Sequence, residues 1–123
     1  MPILDIELVQ ADGAAPGLAS LTQALADAAG RALASAPGHT WVRLRCLPAS
    51  HYAENEARIG PDELPVFVTV LHAHLPQGTA LERELAALTQ ALAACLGRAS
   101  ARVHVQYAPP AAGRQAFGGV LVR

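Results

Sequence analysis

A chain of 123 residues and 12.7 kDa has the size of one ordinary domain. A net charge of −1 with a pI near 6.5 excludes a global basic field for nucleic acid or an anionic membrane, and 4% aromatic content excludes a stacking platform for single strands. All nine basic residues are arginine, so Schiff-base chemistry on a lysine is excluded and amine catalysis falls to the chain's own N-terminus.

The elements follow in chain order. Residues 3–9 predict a strand, with Asp5 and Glu7 on one face by alternation and Leu4, Ile6 and Leu8 on the other. Asp12-Gly13 and Pro16-Gly17 break it. Residues 18–35 carry Leu18, Leu21, Leu25, Ala28 and Ala29 at helical spacing, and Pro37-Gly38 ends that helix. Residues 40–47 predict a strand, 48–63 a polar loop and 65–73 a third strand. Residues 79–97 predict a second helix, with Thr79 as N-cap and Glu82 three later for a capping box. Residues 102–108 predict a fourth strand, and the tail 117–122 a short edge strand.

The chain repeats itself. Leu21 to Ala32 returns as Leu88 to Ala99, with nine of twelve positions identical. Pro2-Ile3-Leu4 matches Pro65-Val66-Phe67, and Val42-Arg43-Leu44 matches Val103-His104-Val105. This is a tandem duplication of a β-α-β unit, about residues 1–63 and 64–123 of a single domain. A crossover helix makes the two strands of each unit parallel. The fold class is therefore α+β: a four-stranded mixed sheet with two helices on one face. Leu4, Ile6, Val68 and Val70 suggest a second apolar face, and a sheet apolar on both faces but covered on one predicts an oligomer.

Hydrophobic residues are 52% and charged residues 15%, enough for a core with apolar surface left for a partner. Cys46 and Cys95 have no CxxC or zinc spacing and read as reduced, buried thiols. The N-terminus lacks a basic n-region, and no apolar run approaches the ~20 residues of a membrane span. The chain reads as cytoplasmic, and its Ala- and Arg-rich, lysine-free composition as bacterial.

Pro2 after the initiator methionine, the duplicated β-α-β unit, Val42-Arg43-Leu44 and Ala116-Phe117-Gly118-Gly119 together resemble the tautomerase superfamily. The resemblance covers nearly the whole chain. It points to the two-repeat branch typified by macrophage migration inhibitory factor and 5-carboxymethyl-2-hydroxymuconate isomerase. It implies a homotrimer with active sites near subunit interfaces, no cofactor and a small carboxylate substrate. It further implies an enol–keto tautomerase or isomerase whose base is Pro2 after Met1 removal.

Chemistry supports that role for Pro2. An α-amino group titrates near 7.7–8.0, and burial or a neighbouring cation lowers it toward operating pH, where a general base works best. Arg43 matches a substrate-binding arginine of one-unit members, and Arg45 lies two residues on along the same strand face. Such a pair can hold a carboxylate and a developing enolate charge, or form salt bridges with Asp5, Glu7 or Glu54. His104 and Gln106 stand where the migration inhibitory factor has Tyr and Asn, and Phe117 resembles the aromatic wall of the family pocket. His74, Arg114 and the loop Tyr52 to Asn55 are further pocket candidates, whereas Trp41 and Tyr107 read as packing residues. His72 and His74 share a strand face, but without a third ligand they suggest no metal site. Dehalogenase or decarboxylase chemistry on the same scaffold would ask Glu54 or Glu56 to position water. A non-catalytic binding protein, either with this fold or with the ferredoxin-like βαββαβ order, is the alternative outside enzymology.

Overall fold

The computed structural model describes residues 2–14 and 17–123; Met1 and the Pro16 of the predicted strand break lie outside the described residues. The elements are β1 (Ile3–Gln10), α1 (Leu18–Ala32), β2 (Trp41–Pro48), β3 (Val66–Leu71), α2 (Thr79–Leu96), β4 (Val103–Tyr107), β5 (Ala116–Phe117) and β6 (Val120–Leu121). The four long strands form one sheet in the order β2-β1-β3-β4. β1 pairs parallel with β2, β3 pairs parallel with β4, and β1 meets β3 antiparallel across the centre. The two strands of each β-α-β unit are therefore direct neighbours. The ferredoxin-like alternative splits each unit's strands apart, so this adjacency rules it out.

Hydrophobic burial holds the layers together. Leu4, Ile6 and Leu8 from β1 and Val66, Val68 and Val70 from β3 meet Leu25, Ala29, Leu88, Leu92 and Ala93 from the helices. The small alanines let α1 and α2 lie close to each other and to the sheet. Leu4, Ile6, Val68 and Val70 thus all face the helices, because residues two apart share a face. The expected second apolar face is instead mixed: Arg43, Asp5, Thr69 and Gln106 form one row across it, and Arg45, Glu7, Phe67 and His104 the next.

Several local expectations are corrected. Leu18 begins α1 and is 40% exposed rather than part of the stripe. α1 ends at Ala32 with Ala34 in the left-handed region, ahead of Pro37-Gly38. Gly78, not Thr79, caps α2: its carbonyl accepts the Glu82 N–H at 3.2 Å, and no side chain caps the helix. The alternation of β2 shifts at Cys46, which is exposed rather than buried, and Leu47 is covered in its place. Trp41 is 43% exposed and is no core residue. Among the described residues no helix is long and apolar enough to cross a membrane.

The identical Gly-Arg pairs of the two units do different work. Gly30 lies inside α1, and Arg31 is exposed on its last turn. Gly97 instead ends α2 in the left-handed conformation that glycine adopts freely. Arg98 then turns back, donating from Nη1 to the Leu64 carbonyl at 2.7 Å and from Nη2 to the Val9 carbonyl at 2.8 Å. It ties the end of β1 to the start of β3 beneath α2. Hydrogen bonds from a charged donor contribute about 1.5–3 kcal/mol each before the cost of ordering the side chain. Arg98→Met is expected to destabilise the fold by about 2 kcal/mol in denaturant unfolding, and Arg31→Met by under about 0.5 kcal/mol.

Candidate active site

Pro2 is buried and continues the inward alternation of Leu4, Ile6 and Leu8. Its carbonyl accepts the Trp41 N–H at 3.1 Å, which fixes the head of β1 beside the start of β2. The Trp41 indole in turn donates from Nε1 to the Gly38 carbonyl at 3.0 Å. Phe117 meets that indole edge to face, with centroids 5.1 Å apart.

The chain after β4 brings Phe117 there. Ala111 and Ala112 donate to the carbonyls of His72 and Ala73 at 2.8 and 3.1 Å, so the tail follows the end of β3. Gly118 and Gly119 both have positive φ, at 57° and 85°, and join β5 to β6 in a two-residue turn. Such a turn needs left-handed conformations at both central residues, which glycine supplies without a Cβ clash. The tail is therefore a separate hairpin and not an added edge strand of the main sheet.

Arg43 lies on the outer face, two residues along β2 from Trp41. It forms a two-pronged pair with Asp5: Nε to Oδ1 at 2.5 Å and Nη2 to Oδ2 at 2.8 Å. This hydrogen bonding, reinforced by the Arg43 and Arg45 charges, holds the Asp5 carboxyl below its usual range. A lowered carboxyl contributes stability above its unfolded value near 3.9 and loses it as pH falls through the folded value. Side-chain exposures of 71% and 28% keep that contribution under about 1 kcal/mol. Arg43→Ala is expected to return Asp5 to the ordinary carboxylate range, read by NMR titration of its side-chain carbon. Arg45 has no hydrogen-bond partner among the described residues, and Glu7 is its cross-strand neighbour.

His104 and Gln106 lie on the outer face of β4 and line an open cavity of about 310 Å³ with Phe67 and Thr69. Gln106 donates to the Thr69 hydroxyl at 2.9 Å. Phe67 stands between His104 and Tyr52, with centroids at 5.5 and 5.9 Å. Tyr52 and Arg102 both donate to Glu54 Oε2, at 2.6 and 2.7 Å, and hold its carboxyl below the usual range. Glu54 pushes the Tyr52 phenol up in return. Glu56 is exposed.

These residues fall into two groups. Pro2, Trp41 and Phe117 gather at the head of β1. His104, Phe67 and the Glu54 network gather around Glu7, five residues along β1, or roughly 17 Å away. One chain does not bring the predicted set together. A second cavity of about 320 Å³, between the C-terminal half of α1 and residues 35–40, touches none of it.

The sequence reading missed a cluster on the inner face. Glu84 Oε2 accepts from His72 Nε2 at 2.8 Å and from the Tyr107 hydroxyl at 2.9 Å. Burial, followed by the Glu84 bond, pushes the Tyr107 phenol well up. A signal was present: Glu84, Leu88 and Leu92 are spaced by four, which places a carboxylate on the buried stripe of α2. His74 instead bonds the Arg123 carbonyl at 3.2 Å and is exposed. Among the described residues no three His, Cys, Asp or Glu side chains gather as a cation site.

No family model matches the chain, and no curated protein is similar in sequence. Solved structures do match. Pt0534 inactivated by 2-oxo-3-pentynoate aligns with a TM-score of 0.73 at 18% identity, over 97% of this chain and 94% of that one. A fused 4-OT asymmetric trimer aligns at 0.67 and 22%, over 97% and 94%. Macrophage migration inhibitory factor from Oncomelania hupensis aligns at 0.70 and 20%, over 98% and 81%. The fold is the one these solved structures share. In this fold Pro2 heads β1, one of the two central strands, and Phe117 lies on the C-terminal hairpin against Trp41. The arginines and His104 occupy the sheet face that the helices leave open.

Proposed function

We propose that this chain is a cofactor-independent enol–keto tautomerase or isomerase of a small unsaturated or 2-oxo carboxylate. Its base is the Pro2 amine, exposed by removal of Met1. The observation that carries the reading is the buried Pro2 at the head of β1, with the Trp41–Phe117 pair beside it, in a tautomerase fold. Burial disfavours the charged amine and brings it toward operating pH, so Pro2 takes a proton from carbon as the free amine and returns one as the ammonium, and the pyrrolidine ring fixes the direction of its lone pair. The similar Pt0534 is inactivated by a 2-oxo carboxylate, and the similar fused 4-OT is a trimer.

Assembly as a homotrimer fits the division of the site. The open sheet face then meets neighbouring copies, and Arg43, Arg45, His104 and Gln106 of one copy serve the Pro2 end of another. The arginines hold the substrate carboxylate and steady the dienolate, while Phe117 walls the pocket. Pro2 carries the proton to and from carbon.

Protein expressed without an N-terminal tag is expected to weigh one methionine less than the full chain and to run near three times 12.7 kDa. It is expected to ketonise an enolpyruvate with no added cofactor. A retained Met1, or turnover no faster than buffer, overturns the reading and leaves a binding protein of this fold.

A further inference from the structure

The inner cluster stands at the same end of the sheet as Pro2. Ile3 and Leu71 are the last register pair between β1 and β3; Pro2 precedes one and His72 follows the other. Pro2 extends the buried series Leu8, Ile6, Leu4, and His72 extends Val66, Val68, Val70, so both lie on the helix side. Tyr107 is in register with Val70. Glu84 comes from α2, and the imidazole and phenol rings lie nearly parallel, 6.0 Å between centroids. The His72 and Glu84 side chains keep 12% and 15% exposure.

An ionised carboxylate only accepts hydrogen bonds, so His72 Nε2 carries a proton, and the Tyr107 hydroxyl donates as well. The raised phenol keeps Tyr107 a donor. In the neutral imidazole the free lone pair is then on Nδ1, which bonds no group among the described residues. A base oriented by a third group is how acid–base sites are built.

Enol–keto tautomerisation moves two protons: one leaves oxygen and one reaches carbon. We propose that His72, oriented by Glu84 and Tyr107, is the group that takes the oxygen proton; this rests on the assignment of carbon to Pro2. His72 Nδ1 removes the enol O–H proton, and that bonding pair becomes the new C=O π bond. The C=C π pair takes a proton from the Pro2 ammonium. An imidazolium and a neutral amine remain, and solvent returns the proton from one to the other. No oxidant, reductant or cofactor enters. The titratable groups facing His72 are Glu84 from α2 and Tyr107 from β4, and Pro2 heads the neighbouring strand β1.

The test combines His72→Gln, Glu84→Gln and Pro2→Ala on an enolpyruvate across about pH 5 to 9, with nitrogen NMR of the wild-type histidines. His72→Gln is expected to lower kcat/KM about 100-fold and to remove the imidazole limb of the pH profile. Glu84→Gln is expected to lower it about 10-fold and to shift that limb. The NMR is expected to show His72 as the Nε2–H tautomer. Wild-type turnover and an unchanged profile in His72→Gln, with Pro2→Ala impaired, overturn the His72 role and leave Pro2 standing. Undiminished turnover in both variants overturns both assignments. An Nδ1–H tautomer at His72 overturns the proposal whatever the turnover, including where a variant does not fold.

Discussion

Pro2→Ala is expected to lower kcat/KM on an enolpyruvate by 100-fold or more, since a positioned general acid–base group contributes about 10²–10⁴. Alanine leaves a primary amine in place of the ring, so some activity survives. A stricter form places one extra residue ahead of Pro2. That converts its nitrogen to a tertiary amide, which neither takes up nor releases a proton near neutral pH, and turnover is expected to fall to the buffer rate. The two variants separate the amine from the ring. A loss only with the added residue assigns catalysis to the amine itself, and a loss with both assigns part of it to the ring's fixed direction. Equal turnover in all three proteins would remove Pro2 from the mechanism. Circular dichroism and solution mass guard against an assembly defect, because Pro2 also anchors Trp41 through its carbonyl.

Leu92→Ala is expected to cost about 2–5 kcal/mol in denaturant unfolding. Leu92 has no exposed surface and packs from α2 into the cluster that holds Ile6, Val68 and Leu25. Removing its isobutyl end loses transfer free energy and leaves a cavity that strands fixed on both sides cannot close. Leu18→Ala, at a helix start that is 40% exposed, is expected to cost under about 1 kcal/mol. Both belong at one protein concentration, since assembly adds to apparent stability. A cost below about 1 kcal/mol for Leu92→Ala would mean that the two helices do not share one core.

The sheet and helices were legible because their patterns are local. Leu4, Ile6 and Leu8 alternate, Leu25, Ala28 and Ala29 recur with the helical period, and the duplicated Leu-Thr-Gln-Ala-Leu-Ala stretch marks two copies of one unit. Helix ends were less legible. Thr79 has the composition of a cap, but Gly78, with a backbone conformation open to glycine, carries that role.

The candidate site was legible in part. Residue types named Pro2, Arg43, Arg45, His104, Gln106 and Phe117, but spacing along a chain cannot say which of them meet. The antiparallel β1–β3 pairing puts His72 beside the Pro2 end and sends His104 to the other.

The sequence by itself determined the β-α-β duplication, the buried stripes and the likeness to a tautomerase, since each is written in residue type and short-range period. Only the tertiary structure decided what equal residues do. Arg31 stays on a helix that runs on past Gly30, whereas Arg98 follows a helix that stops at Gly97 and reaches the Leu64 and Val9 carbonyls. It also decided that Arg43 pairs with Asp5, and that Glu84 gathers His72 and Tyr107. Those contacts join residues 12 to 89 positions apart, and strand register and helix packing set such distances rather than any neighbour in sequence.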